Sequence, residues 1–166
     1  MGYTHYWRQL RDFTDTEWQE LTRLTKLITV GARATALLDP DEFNIDNEEI
    51  RFNGVRDDAH ETFLITKKKR PKADYEEQEA YDRQGAFEFC KTAHKPYDKY
   101  VVAVLCAVYR VQQDIMNISS DGNTADWTEG LFHAVRSTRE QEMYCPIRDC
   151  LTLSYVDYVD QEKETG

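Results

Sequence analysis

The spacing of apolar residues along this chain changes several times, and each change marks an element. In "TDTEWQELTRLTKLI", Trp18, Leu21, Leu24 and Ile28 recur at helical spacing, and Thr14 with Glu17 has the form of a capping box. The pattern predicts a helix from there to about Ala34. "YDKYVVAVLCAVYRV" is apolar nearly all round, which predicts a helix buried on most sides. Its β-branched content would also suit strands, but its length and the preceding Pro96 favour helix. "TADWTEGLFHAVRSTREQE" predicts a third helix, capped by Thr124 or Asp126.

The remaining apolar runs are short and rich in β-formers. "GYTHYW" reads as a first strand, and "EIRFNGVRDDAHETFLIT" as two strands around the Asn53-Gly54 turn. "GAFEFCK", "DIMNI" and "LTLSYVDYV" are further strand candidates. "LLDPDEFNIDNEE" is a turn-rich connection. Residues 67–84 are polar and predict a mobile surface excursion; the last residues, 157–166, predict an acidic tail. The order of elements predicts one α+β domain over residues 1–166. Its mostly antiparallel sheet of about four to five strands packs with three helices, one of them central and buried.

Composition narrows the functional classes. The 40% apolar content is enough for a core, and the 31% charged content is mixed in sign, which argues against wholesale disorder. No run of ~18 apolar residues offers a membrane span. "MGYTHYWRQL" lacks the pattern of a signal peptide, so a cytoplasmic chain is expected. Cysteines at 90, 106, 145 and 150 form no Cys-x-x-Cys pair. The Cys145/Cys150 spacing matches no common zinc pattern, so neither metal nor cofactor is expected. A net charge of −10 argues against nucleic acid as a general partner. It leaves two partner classes: a small anionic ligand in a local basic pocket, or a basic protein drawn to an acidic surface.

The densest candidate chemistry lies in "FCKTAHKPYD". Lys91, Thr92, His94 and Lys95 crowd the approach to the apolar helix, where backbone N–H groups and the helix dipole favour an anion. Surface lysines before a helix are also common without any ligand. On the first strand, Tyr3, His5 and Trp7 share one face, and Thr4 and Tyr6 the other. Rings with polar handles suit stacking on a base or sugar, though they equally suit an ordinary half-buried strand. "SSDGN" can present Ser119, Ser120 and Asp121 to a ligand or serve only as a turn. The basic run Lys67–Lys72 is followed by Asp74, Glu76, Glu77 and Glu79, which reads as a self-compensating loop. No phosphate-binding Gly-rich loop, zinc-protease motif or Gly-x-Ser-x-Gly is present.

"MGYTHYW", "KTAHKPYD" and "SSDG" together resemble an uncharacterised family of small phage and bacterial proteins, over about residues 1–130. The resemblance carries over no activity; it implies a phage or mobile-element setting, in which small acidic proteins often counter host defence.

The leading expectation is a protein that binds a small anionic, nucleotide-like ligand through Tyr3, His5, Trp7, Lys91, Thr92, Lys95, Tyr97 and Asp121. Such a protein would sequester a host defence signal. The alternative is an acidic, anti-CRISPR-like inhibitor of a basic host protein, using residues 74–79 and 157–164. A second alternative is a nucleotide-modifying enzyme, with His5 or His94 as general base and Asp98 or Asp121 orienting it.

Overall fold

The computed structural model describes residues 2–140, 142–147 and 152–153. Strand β1 (Thr4–Gln9) is the centre of an antiparallel sheet ordered β5-β1-β6, with β5 at Ala86–Lys91 and β6 at Met116–Ser120. A second antiparallel sheet joins β2 (Asn44–Ile45), β3 (Glu49–Phe52) and β4 (Phe63–Thr66) in that order. The expected α+β class is therefore present, but the strands divide between two small sheets instead of forming one. Asn53 gives the reason. Its side-chain oxygen accepts from the backbone N–H of Gly54 and His60 and its amide donates to His60 O. That closes the loop between β3 and β4 into a hairpin.

Helix α1 (Asp15–Ala34) starts as its sequence predicts: Thr14 Oγ1 accepts from Glu17 N, and Glu17 Oε1 accepts from Thr14 N. Helix α3 (Asp98–Val111) is the central element, buried from Tyr100 through Val108. It packs between α1 and α4 (Thr124–Thr138). Where α4 crosses α3, an added Cβ on Gly130 would fall 2.4 Å from Val102 Cγ1, so glycine permits the close approach. The cap of α4 is Asn123, one residue earlier than predicted, in a reciprocal box with Asp126. Residues 67–84, read as a surface excursion, include a short fourth helix, α2 (Gln78–Gln84). Arg70 organises the approach to it by a two-pronged pair with Glu76 and a bond to Glu88. The predicted last strand is described only at β8 (Thr152–Leu153), which pairs with β7 (Met143–Tyr144). The acidic tail lies outside the described residues.

Both sheets feed one core. The inward face of β1 places Trp7 against Phe63 of β4, ring centroids 5.5 Å apart. No described helix is long and apolar enough to cross a membrane.

Candidate functional site

Alternation along β1 sorts its side chains into two unlike environments. Inward go Tyr3, His5 and Trp7, all buried. Register pairs His5 with Cys90 on one side and Ser120 on the other. The first turn of α3 lies over this end, so His5 bridges three elements. Its Nδ1 is 2.8 Å from Ser120 Oγ, and its Nε2 is 2.7 Å from Asp98 Oδ1. Thr92 Oγ1 donates to the same Asp98 oxygen at 2.5 Å. Ser120 Oγ already accepts from Gly122 N at 2.9 Å, so its proton is available to His5 Nδ1. A neutral imidazole accepting there must carry its own proton on Nε2, facing Asp98. Ser120, His5 and Asp98 thus form a continuous chain of hydrogen bonds.

Aromatic rings enclose that chain. Tyr3 and Trp127 each meet His5 edge-on, with centroids 5.0 and 5.2 Å away. Tyr3 also stacks on His94 at 3.6 Å. His94 reaches it because Ala93 and His94 both adopt left-handed backbone angles, φ 51° and 57°, uncommon for residues with a Cβ. Burial, then the nearby Asp98 charge, raises the pKa of Tyr3 well above the usual phenol value, so the hydroxyl stays protonated. That hydroxyl faces Ser120 yet makes no hydrogen bond of normal geometry; Trp127 Nε1 is likewise buried without a partner.

The expected anion site at residues 91–98 has its backbone donors and the Lys95 ammonium occupied from within. Backbone N–H groups of Thr92 and Ala93 both donate to Tyr3 O, Lys95 N to Thr92 O, and Asp98 N to Lys95 O. Lys95 Nζ donates to Asp57 O, and the Lys91 side chain lies against Gly2. Tyr97 is buried, its hydroxyl donating to Glu61 O at 2.6 Å. Trp7 belongs to the core. Asp121 is exposed, accepting from Thr4 N and from Tyr6 Oη. A cavity of about 290 Å³ does open at the start of α3, but His94, Lys95 and Lys99 share its lining with Asp98, Asp126 and Glu129. Three carboxylates there offset the positive charge. Tyr3, His5, Trp7, Lys91, Thr92, Tyr97 and Asp121 are not among the lining residues. β1 does lie beside the strand ending at Lys91, and α3 opens next to it.

The outward face carries residues that the sequence reading passed over. Register sets Tyr6 opposite Phe89 and Arg8 opposite Phe87. Tyr6 and Phe87 lie nearly parallel, 6.2 Å apart and 19° between planes; Phe87 and Phe89 are 5.9 Å apart. Arg8 sits 5.0 Å over the Phe87 ring. Phe89, on the edge strand β5, is 51% exposed. The face runs into a cavity of about 310 Å³ lined by Arg8, Tyr75, Tyr81 and Phe87 together with Glu76, Glu77 and Ala80. The signal was in the sequence: Tyr6, Arg8, Phe87 and Phe89 all fall on the parity opposite to His5 and Cys90.

Cys90 is buried, and its thiol is pushed up to about 12 by desolvation, so it is no nucleophile at neutral pH. Among the described residues no cluster of His, Cys, Asp and Glu has the makings of a metal site; Cys150 lies outside them. The chain matches no protein-family model, curated protein or solved structure.

Proposed function

We propose that this chain binds a small anionic, nucleotide-like ligand, and that the base stacks on the outer face of β1 and β5. One observation carries the reading: Tyr6, Phe87 and Phe89 present rings on a shared, partly exposed sheet face, with Arg8 and Lys91 on the same parity. Base–aromatic stacking contributes about 1–3 kcal/mol per base, and it tolerates different bases because each has a π-face. Arg8 and Lys91 supply the charge a phosphate needs, at either end of the ring array. A mononucleotide suits a net charge of −10 better than a polymer does, because its few charges need only a local basic match. Given the resemblance to phage proteins, sequestration of a host defence signal is the role we assign to such binding.

The test is titration calorimetry with mono-, di- and cyclic nucleotides, repeated on Phe89→Ala and Arg8→Ala. Binding by the wild type, weakened in both variants, is expected. If no nucleotide binds, or if both variants bind as the wild type does, the reading fails. The inhibitor alternative has less behind it. Of its two acidic stretches, Glu76 is held by Arg70 and residues 157–164 lie outside the described residues.

A further inference from the structure

We propose that Ser120, His5 and Asp98 form a nucleophile–base–orienter triad that hydrolyses a small carboxylic ester or thioester. The arrangement has the parts such chemistry requires. Ser120 stands at the end of β6, where the chain turns into α4 through Asp121 and Gly122. Ser120 is the last residue of that strand, and its hydroxyl lies on the same inner face as His5, its register partner. Its hydroxyl is 2.8 Å from His5 Nδ1, within reach for proton transfer, and His5 Nε2 is fixed by Asp98 at 2.7 Å. The two ring nitrogens are used in the reverse of the familiar sense: Nδ1 faces the serine and Nε2 the aspartate. Asp98 is itself held by Thr92, and it acts through His5 as a positioning residue.

A second observation points to a ligand. The Tyr3 hydroxyl is buried, unpartnered and directed at the same turn. A Cβ on Gly122 would lie 2.3 Å from that oxygen, so glycine at 122 is what lets the hydroxyl reach this place. Buried polar groups are nearly always hydrogen-bonded, and an orphan donor beside a nucleophile is where a developing oxyanion finds its partner.

The steps balance with water as the sole co-reactant. Ser120 Oγ adds to the carbonyl carbon while its proton passes to His5 Nδ1. The carbonyl oxygen takes up negative charge and accepts from Tyr3 Oη. The bond to the leaving alcohol or thiol breaks, and that group departs with the proton from His5. Water then attacks the acyl-Ser120 ester, gives a proton to His5 Nδ1, and the carboxylic acid leaves as Ser120 recovers that proton.

The experiment combines a fluorophosphonate probe, read by intact mass and peptide mapping, with p-nitrophenyl acetate turnover. The wild type should gain a single adduct on Ser120 and release nitrophenolate. Ser120→Ala should lose both, with an unchanged circular dichroism spectrum, while Ser119→Ala on the exposed neighbour should lose neither. Tyr3→Phe should keep the adduct but slow turnover by about 100-fold. Asp98→Asn should lower kcat with little change in KM. Phe89→Ala should label normally, which separates this site from the nucleotide-binding face. Absence of an adduct on the folded wild type overturns the proposal, as does an adduct that persists in Ser120→Ala.

Discussion

His5 Nε2 lies 2.7 Å from Asp98 Oδ1, joining the first strand to the start of the buried helix across 93 positions of chain. His5 is fully buried, while the Asp98 side chain keeps 16% exposure. Removing the imidazole takes one hydrogen bond from each of Asp98 and Ser120 and opens a cavity. His5→Ala is therefore expected to lose about 3 kcal/mol of stability, through unsatisfied polar groups and lost packing. Thr92→Val deletes one donor to Asp98 in a buried position and is expected to lose about 1 kcal/mol. Urea unfolding followed by circular dichroism measures both, and equal losses would contradict this ordering.

Gly130 faces Val102 where α4 crosses α3. In a free helix, alanine would be the better residue by about 1 kcal/mol. Here its methyl would approach Val102 Cγ1 to 2.4 Å, Val102 Cβ to 2.6 Å and Lys99 O to 3.1 Å. Two buried helices must separate to admit it, and overpacking of this kind costs about 1–3 kcal/mol. Gly130→Ala is expected to lower the melting temperature. A rise would show that helix propensity outweighs the contact.

The helices were legible because their signals are local. The Thr14/Glu17 box and the Trp18–Ile28 spacing define α1 within their own residues, and the apolar run of α3 declares burial without reference to any partner. The site was less legible because its members meet only through register. Ser120 reaches His5 by strand pairing, and Asp98 reaches it because Ala93 and His94 turn the chain with positive φ. Neither angle has a sequence signature in a pair that lacks glycine. Which face of β1 is core was hidden for a similar reason. Both parities of "YTHYWR" carry rings, and only α3 and α4, packed over the Tyr3–His5–Trp7 side, decide which parity is core. Backbone donors before α3 looked available for an anion, yet the carbonyl of Tyr3 takes two of them.

Glu76 accepts from Arg70 at 2.7 and 2.9 Å and from the backbone N–H groups of Ala73 and Phe87. These bonds, led by Arg70, lower its pKa from 4.5 to about 2. Glu17, held by Arg11 and Thr14, is lowered to about 2 as well. A carboxyl depressed in the folded state stabilises fully above its unfolded value, and that contribution disappears as pH falls from 4.5 towards 2. The protein is thus expected to lose stability across that window, with stability flat for these groups at higher pH. Glu76→Gln should reduce the slope. A melting temperature independent of pH between 5 and about 2.5 would refute the assignment.

Trp7 and Phe89 sit on opposite faces of neighbouring strands and should respond oppositely to truncation. Trp7 is 2% exposed and packs on Phe63, so Trp7→Ala is expected to cost about 3–5 kcal/mol of stability. Phe89 is half exposed, and Phe89→Ala should change stability by no more than about 0.5 kcal/mol. If the outer face stacks a base, the same Phe89→Ala should weaken nucleotide binding by about 1–3 kcal/mol, roughly 5- to 150-fold. Tyr6→Leu should weaken it too, since it removes a ring parallel to Phe87 and keeps comparable apolar bulk. Arg8→Lys separates stacking from charge: the cation remains, but the planar guanidinium over Phe87 is lost. Affinity that falls in Phe89→Ala and Tyr6→Leu, with unfolding midpoints unchanged, locates binding on the rings. A fall in affinity that tracks the loss of stability in every variant would mean the face acts only through the fold.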